Sequence, residues 1–115
     1  MHELSIMNQV MDIVIEHAET AHAQKVCKIN LEIGALSDIV PRWAQMFFDM
    51  VSQDTLAETA ELVIDSKPAA IKCRSCGKET TMDINHLLYS CRECGSEKIE
   101  LISGDQFRIT SIEIR

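Results

Sequence analysis

Four of the five cysteines form two matching knuckles, Cys73-Arg-Ser-Cys76-Gly77 and Cys91-Arg-Glu-Cys94-Gly95, in a C-x2-C-x14-C-x2-C spacing. Two residues between cysteines let both thiolates of a pair turn toward one point. The glycine that follows each pair permits a positive-φ turn, which frees backbone N–H groups to point at sulfur. Two such hooks close a tetrahedral S4 site, and that donor set suits Zn2+. Iron in a rubredoxin-like site takes the same four ligands. Rubredoxins crowd the metal with aromatics, whereas the only aromatic between these knuckles is Tyr89. Four protein ligands leave no open position, so Cys73, Cys76, Cys91 and Cys94 point to a structural ion and not to catalysis.

The chain also begins with donors, Met1-His2-Glu3. The bulky second residue predicts that Met1 is retained. A free amine, the His2 imidazole and nearby backbone nitrogens can surround one ion. Deprotonated amides form short chelate rings that enforce a planar arrangement, and planar nitrogen ligation favours Ni2+ or Cu2+ over Zn2+ or Mg2+. Glu3 adds a carboxylate or steadies the amine. Taken alone, this motif also reads as an ordinary solvated terminus.

The rest of the chain must position these donors. Its 115 residues suffice for one ordinary domain, or one domain with a small metal-stapled module. A hydrophobic fraction of 46% supports a core, and the six methionines against few aromatics make it aliphatic. A net charge of −7 argues against nucleic acid or an anionic membrane as the main partner. No apolar run is long enough for a transmembrane helix. His2, Glu3, Asp12 and Glu16 near the start do not form a cationic leader, so a cytoplasmic location is expected. In that compartment paired Cys-x2-Cys reads as a metal site rather than as disulfides.

Hydrophobic periodicity outlines an α+β fold with two helices, a small three-stranded sheet and an inserted zinc-ribbon-like module. Leu4, Met7, Met11, Val14 and Ala18 recur at helical spacing over 4–20. Residues 25–33 alternate as a half-buried strand, with Cys27, Ile29, Leu31 and Ile33 on the apolar face. Pro41 suits the first turn of a second helix over 41–53, with Trp43, Ala44, Phe47, Met50 and Val51 as its inner stripe. Thr55-x-x-Glu58 matches a capping box. Residues 60–66 and 106–114 read as strands, and a phase shift between Ile109 and Ile112 predicts a bulge or a strand covered on both faces. Lys67-Pro68 and Ser103-Gly104-Asp105 mark the borders of the insertion. The expected organisation is a discontinuous nickel-binding α/β domain, 1–69 and 105–115, with a zinc-binding module at 70–104. Some thirty-five residues bury too little apolar surface to fold unaided, so the metal should supply the missing stability.

Over its full length the chain resembles the HypA/HybF family of nickel-insertion factors for nickel–iron hydrogenase maturation. The residues that carry the resemblance are Met1-His2-Glu3-Leu4-Ser5, Ile33-Gly34, Ala60-Glu61-Leu62, the four knuckle cysteines and Ile109-Thr110-Ser111-Ile112-Glu113-Ile114. The resemblance implies a nickel metallochaperone that binds Ni2+ transiently through Met1, His2 and Glu3, with Zn2+ as a structural ion. It implies a HypB-type GTPase and the nickel–iron hydrogenase large subunit as partners, with urease maturation proteins as clients of some members. Some relatives add an aspartate ligand six residues past the first-strand glycine. Here that position is Val40, and the nearest acid is Asp38. The competing readings are a zinc-ribbon adaptor for nucleic acid or protein, and an enzyme. The bases Lys72, Arg74, Lys78, Arg92 and Lys98 are balanced by Glu79, Asp83, Glu93, Glu97 and Glu100, so no basic face forms. No glycine-rich phosphate loop or catalytic triad spacing is present, and Ser5, His17 and Ser37 read as ordinary helix and loop residues.

Overall fold

The computed structural model describes residues 2–115 and, for His2, the main chain alone. The elements run α1 (His2–Thr20), β1 (Val26–Gly34), α2 (Pro41–Val51), β2 (Glu61–Lys67), β3 (Ala69–Cys73), β4 (Glu79–Met82), β5 (Ile99–Ser103) and β6 (Phe107–Ile114). Two three-stranded sheets form, in the orders β2-β1-β6 and β4-β3-β5. This is the expected α+β architecture, with two helices and a four-cysteine cluster. The described chain gathers into two compact units. One holds the chain up to Glu32 with Asp38–Asp65 and Arg108–Arg115; the other holds Ile33–Ser37 and Ser66–Phe107. Among the described residues, no helix is long and apolar enough to cross a membrane.

In the first unit, α1 buries Met7, Val10, Val14 and Ala18, a single stripe at helical spacing. The helix stops at His22, which takes a left-handed φ of 56°. The His22 N–H then reaches the Glu19 carbonyl at 3.0 Å and the Ala23 N–H reaches the Ala18 carbonyl at 2.9 Å. That bond pair is a Schellman stop, and it satisfies two otherwise orphaned carbonyls. In β1, Val26, Ile29, Leu31 and Ile33 are buried, while Cys27 is half-buried. The apolar face of β1 thus changes phase between 26 and 29. In β6 the half-buried positions are Phe107, Ile109 and Ile112, a shift of the same kind. The Gly34 N–H bonds the Gln106 carbonyl, and Lys25 and Arg115 exchange both backbone bonds, so β1 and β6 run antiparallel.

Pro41 opens α2, where a missing N–H costs nothing. Gln45 ties this helix to the start of β2. Its side-chain amide donates to Asp49 Oδ1 at 2.9 Å and to the Ala60 carbonyl at 3.0 Å, and its oxygen accepts from the Leu62 N–H at 2.8 Å. The Thr55-x-x-Glu58 capping box does not close reciprocally: the Glu58 carboxylate accepts from the Asp54 N–H and Thr55 Oγ1 from the Ala57 N–H, while the Thr55 N–H bonds the Ser52 carbonyl, and the segment is a run of turns. The inner stripe of α2 differs from expectation. Ala44 and Phe48 are the buried positions, while Trp43 and Met50 are exposed. The helix is rotated from the expected phase so that Phe48, fully buried, enters the core and Trp43 faces out.

In the second unit, β3 lies between β4 and β5 and pairs antiparallel with both. Its buried side chains are few: Ala69, Ala70, Ile71 and Cys73 from β3, joined by Ile33 and Cys91. The turn after β1 belongs here through backbone bonds, Ala35 N–H to the Lys67 carbonyl at 2.8 Å and Leu36 N–H to the Gly104 carbonyl at 2.7 Å. Gly34 is packed so closely that a Cβ would lie 2.1 Å from the Gly104 carbonyl oxygen. Backbone cannot yield as a flexible side chain would. Gly34→Ala is therefore expected to cost about 2–4 kcal/mol, the range of overpacked or strained sites. Urea denaturation of the two proteins measures this.

Candidate metal centres

Each knuckle is built the same way. The Gly77 N–H bonds the Cys73 carbonyl and the Gly95 N–H bonds the Cys91 carbonyl, both at 2.9 Å. Gly77 and Gly95 take φ of 80° and 75°, a region that disfavours a Cβ. The incoming strands are pinned by Cys73 N–H to the Lys78 carbonyl and Cys91 N–H to the Ser96 carbonyl. The two hooks meet face to face. Cys73 Sγ lies 3.6 Å from Cys94 Sγ, and Cys76 Sγ lies 3.6 Å from Cys91 Sγ. All four sulfurs fall within 4.8 Å of one another. A tetrahedral metal–thiolate centre with bonds of about 2.3 Å has sulfur–sulfur edges of about 3.8 Å. The four cysteines therefore fit one tetrahedral, thiolate-preferring ion.

Backbone N–H groups prepare the sulfurs. The Cys76 N–H points at Cys73 Sγ and the Glu93 N–H at Cys91 Sγ, both at 3.4 Å. Without metal, the Cys76 N–H holds the Cys73 thiol down at about 6, against the opposing effect of burial. The N–H groups of Cys94 and Glu93 lower Cys91 likewise. The other two thiols move upward. At Cys76 the Lys78 N–H pulls down, but the facing Cys91 sulfur and burial push the thiol up to about 12. At Cys94 the Ser96 N–H pulls down, while the Cys73 sulfur and burial prevail and raise it. Each facing pair thus sets one lowered thiol against one raised thiol. Metal uptake by the metal-free protein at pH 7 is expected to release protons, because ligation requires four thiolates and the Cys76 and Cys94 thiols are raised. Affinity then rises with pH while Cys76 and Cys94 are protonated, and falls more steeply below about 6, where Cys73 also takes a proton. Calorimetry in buffers of different ionisation enthalpy counts the protons.

Residues outside the sulfur set complete the centre. Ser75 Oγ and Ser96 Oγ meet at 2.9 Å and link the knuckles. Arg74 and Glu100 form an exposed ion pair at 2.8 Å, of the kind that contributes little. The sequence carried no signal for either, since both depend on the knuckles facing each other. His86 is exposed, in a turn where its N–H bonds the Asp83 carbonyl, and it is not part of the four-cysteine cluster.

Of the N-terminal donors, Met1 and the His2 side chain lie outside the described residues. His2 is the first residue of α1. Glu3 is half-buried, and its carboxylate accepts the Val40 N–H at 3.4 Å, a long bond that joins the start of α1 to the start of α2. Asp38 is exposed two residues earlier.

Comparison with known proteins agrees with this picture. Residues 1–114 match the family described as "Hydrogenase/urease nickel incorporation, metallochaperone, hypA". The chain is 40% identical over 114 residues to the hydrogenase maturation factor HypA of Dehalococcoides mccartyi, covering 99% of this chain and 94% of that one. It is 35% identical to the factor of the same name from Acidithiobacillus ferrooxidans, covering 99% of both. Two solution structures share the fold. One, of HypA protein, superposes with a TM-score of 0.73 at 25% identity, over 100% of this chain and 97% of that one. The other, the Ni metallochaperone HypA from Helicobacter pylori, gives 0.66 at 20% identity, over 97% and 96%. With the match running from the first residue to the last strand and the four-cysteine centre in place, the chain belongs to the HypA family of nickel-incorporation metallochaperones.

Proposed function

We propose that this chain binds Ni2+ through Met1, His2 and Glu3 and delivers it to the nickel–iron hydrogenase large subunit, with a HypB-type GTPase as partner. The observation that carries this reading is the start of α1 at His2. Amides in the first turn of a helix have no acceptor four residues back. The His2 and Glu3 nitrogens are thus free of helical bonds, and planar nickel ligation needs them deprotonated. The positive end of the helix dipole favours the amidate form. An ion held at a chain end can leave by stepwise ligand exchange, which delivery requires. Members of this family are metallochaperones, so the chain is not an enzyme. Nickel titration of untagged protein beside His2→Ala tests the reading: equal affinity would refute it.

In the same reading, Cys73, Cys76, Cys91 and Cys94 hold one structural Zn2+, and the chain works in the cytoplasm, where thiols stay reduced. Four cysteine ligands would fill a tetrahedral ion and leave no place for a substrate ligand. X-ray absorption is expected to show sulfur alone around the zinc. The nucleic-acid alternative has no support in charge: the unit with the knuckles holds six acids and six bases. Urease maturation proteins remain second clients under this proposal.

A further inference from the structure

Helix α2 carries more apolar surface than the core uses. At 100° per residue, its apolar positions span an arc of about 200°. Ala44 and Phe48 are buried and Phe47 and Val51 half-buried on one part of that arc. Trp43, Met46 and Met50 fill the remainder and stay 45%, 46% and 54% exposed. Their spacing, i, i+3 and i+7, sets them in one line along the helix, which distinguishes them from scattered surface hydrophobes. Val40, 39% exposed, precedes the line. Arg42 lies over the Trp43 ring at 5.5 Å, at the edge of the stripe.

The charge of the chain selects the occupant. The unit that contains α2 holds twelve acids against five bases, while the other unit holds six of each. The whole net charge of −7 therefore sits on the body that displays the stripe. A second copy docked there would add another seven negative charges to the contact, and an anionic bilayer would be repelled in the same way. A cationic segment with one apolar face is attracted by the field and covers the stripe. Methionine suits this task, because its unbranched, polarisable side chain repacks around different partners.

We propose that Trp43, Met46 and Met50 form a docking line for a basic amphipathic helix of a partner protein. The geometry is that of helix against helix, with the apolar residues of the incoming segment between Met46 and Trp43 and its lysines or arginines drawn by the net negative charge of the unit. This inference does not rest on the nickel site.

Trp43 is the only tryptophan, so its fluorescence reports on the stripe directly. The probe is a synthetic helical peptide of leucine and lysine with one apolar face, set beside the same peptide with glutamate for lysine. The lysine peptide is expected to shift Trp43 emission to shorter wavelength in a saturable titration, weakened by salt, and the glutamate peptide is expected to give no shift. Met46→Glu and Met50→Glu are expected to weaken binding of the lysine peptide at least about tenfold. Those substitutions add negative charge, so a purely electrostatic contact would bind more tightly instead. Circular dichroism and zinc content should stay unchanged in both variants. No shift, an equal response to the glutamate peptide, or undiminished binding by the glutamate variants would overturn the proposal. So would a blue shift that appears on concentrating the protein alone with a dimer in sedimentation, since the occupant would then be a second copy.

Discussion

Acetylating the Met1 amine is expected to weaken nickel binding by about 100-fold or more, equivalent to about 2.7 kcal/mol. Every side chain remains, but the amine can no longer close the first chelate ring. A three-residue Gly-Ser-Gly leader should do the same. A one-residue leader is a poor test, because it makes the histidine third from a new amine and so offers a fresh planar chelate. His2→Ala should match the acetylated protein, while Glu3→Gln should cost less, since glutamine keeps the backbone amide. Amide ligation expels protons, so affinity of the native protein should increase with pH. Zinc content should be equal in all of these proteins, because the four sulfurs are a separate donor set. Equal nickel affinity before and after acetylation would sink the terminal-amine site.

Cys76→Ala is expected to unfold the second unit and leave the first folded. The apolar core of Ser66–Phe107 is small, with Ile71 its largest buried side chain. Structural zinc contributes on the order of 10–16 kcal/mol at neutral pH in small metal-stapled folds, more than such a core can replace. Amide hydrogen exchange should therefore show β3, β4 and β5 unprotected in the variant. The stripe Met7, Val10, Val14 and Ala18 with Ile29 and Leu31 gives the first unit its own core, and α1 and β1 should keep their protection. Collapse of protection throughout the chain would show the two units to be one cooperative body, and unchanged protection in β3 would show the metal to be dispensable.

The sequence foretold what depends on local spacing. The knuckles, α1 and the existence of the three strands of the first sheet follow from periodicities of two or nearly four, or from a fixed cysteine interval, although strict alternation fails at the start of β1, where Val26 is buried and Cys27 only half-buried. It misread what depends on packing at a distance. The phase of α2 was ambiguous because seven of eleven positions are apolar, and only the tertiary core decides that Phe48 turns inward. Strands β4 and β5 carry weak alternation, in Glu79–Met82 and Ile99–Ser103, and owe their pairing to β3 and to the closing of the knuckles. Gly34–Ser37 joins the second unit through bonds to Lys67, Gly104 and Gln106, partners over thirty residues away. The stop of α1 at His22 was hidden too, since histidine is an uncommon choice for a left-handed position.

The four sulfurs are not equally guarded. Cys73 and Cys91 are 1% and 5% exposed, whereas Cys76 and Cys94 stand open to solvent. Each knuckle thus contributes one shielded and one open ligand. Thermodynamic grip and kinetic security therefore part company at this centre: four thiolates would bind a zinc ion tightly, yet an electrophile or a peroxide can reach the outer sulfurs without unfolding anything. Oxidative stress should strike this side first, and the ion should be lost together with the order of β3, β4 and β5, turning the second unit into a sentinel that fails before the rest of the chain.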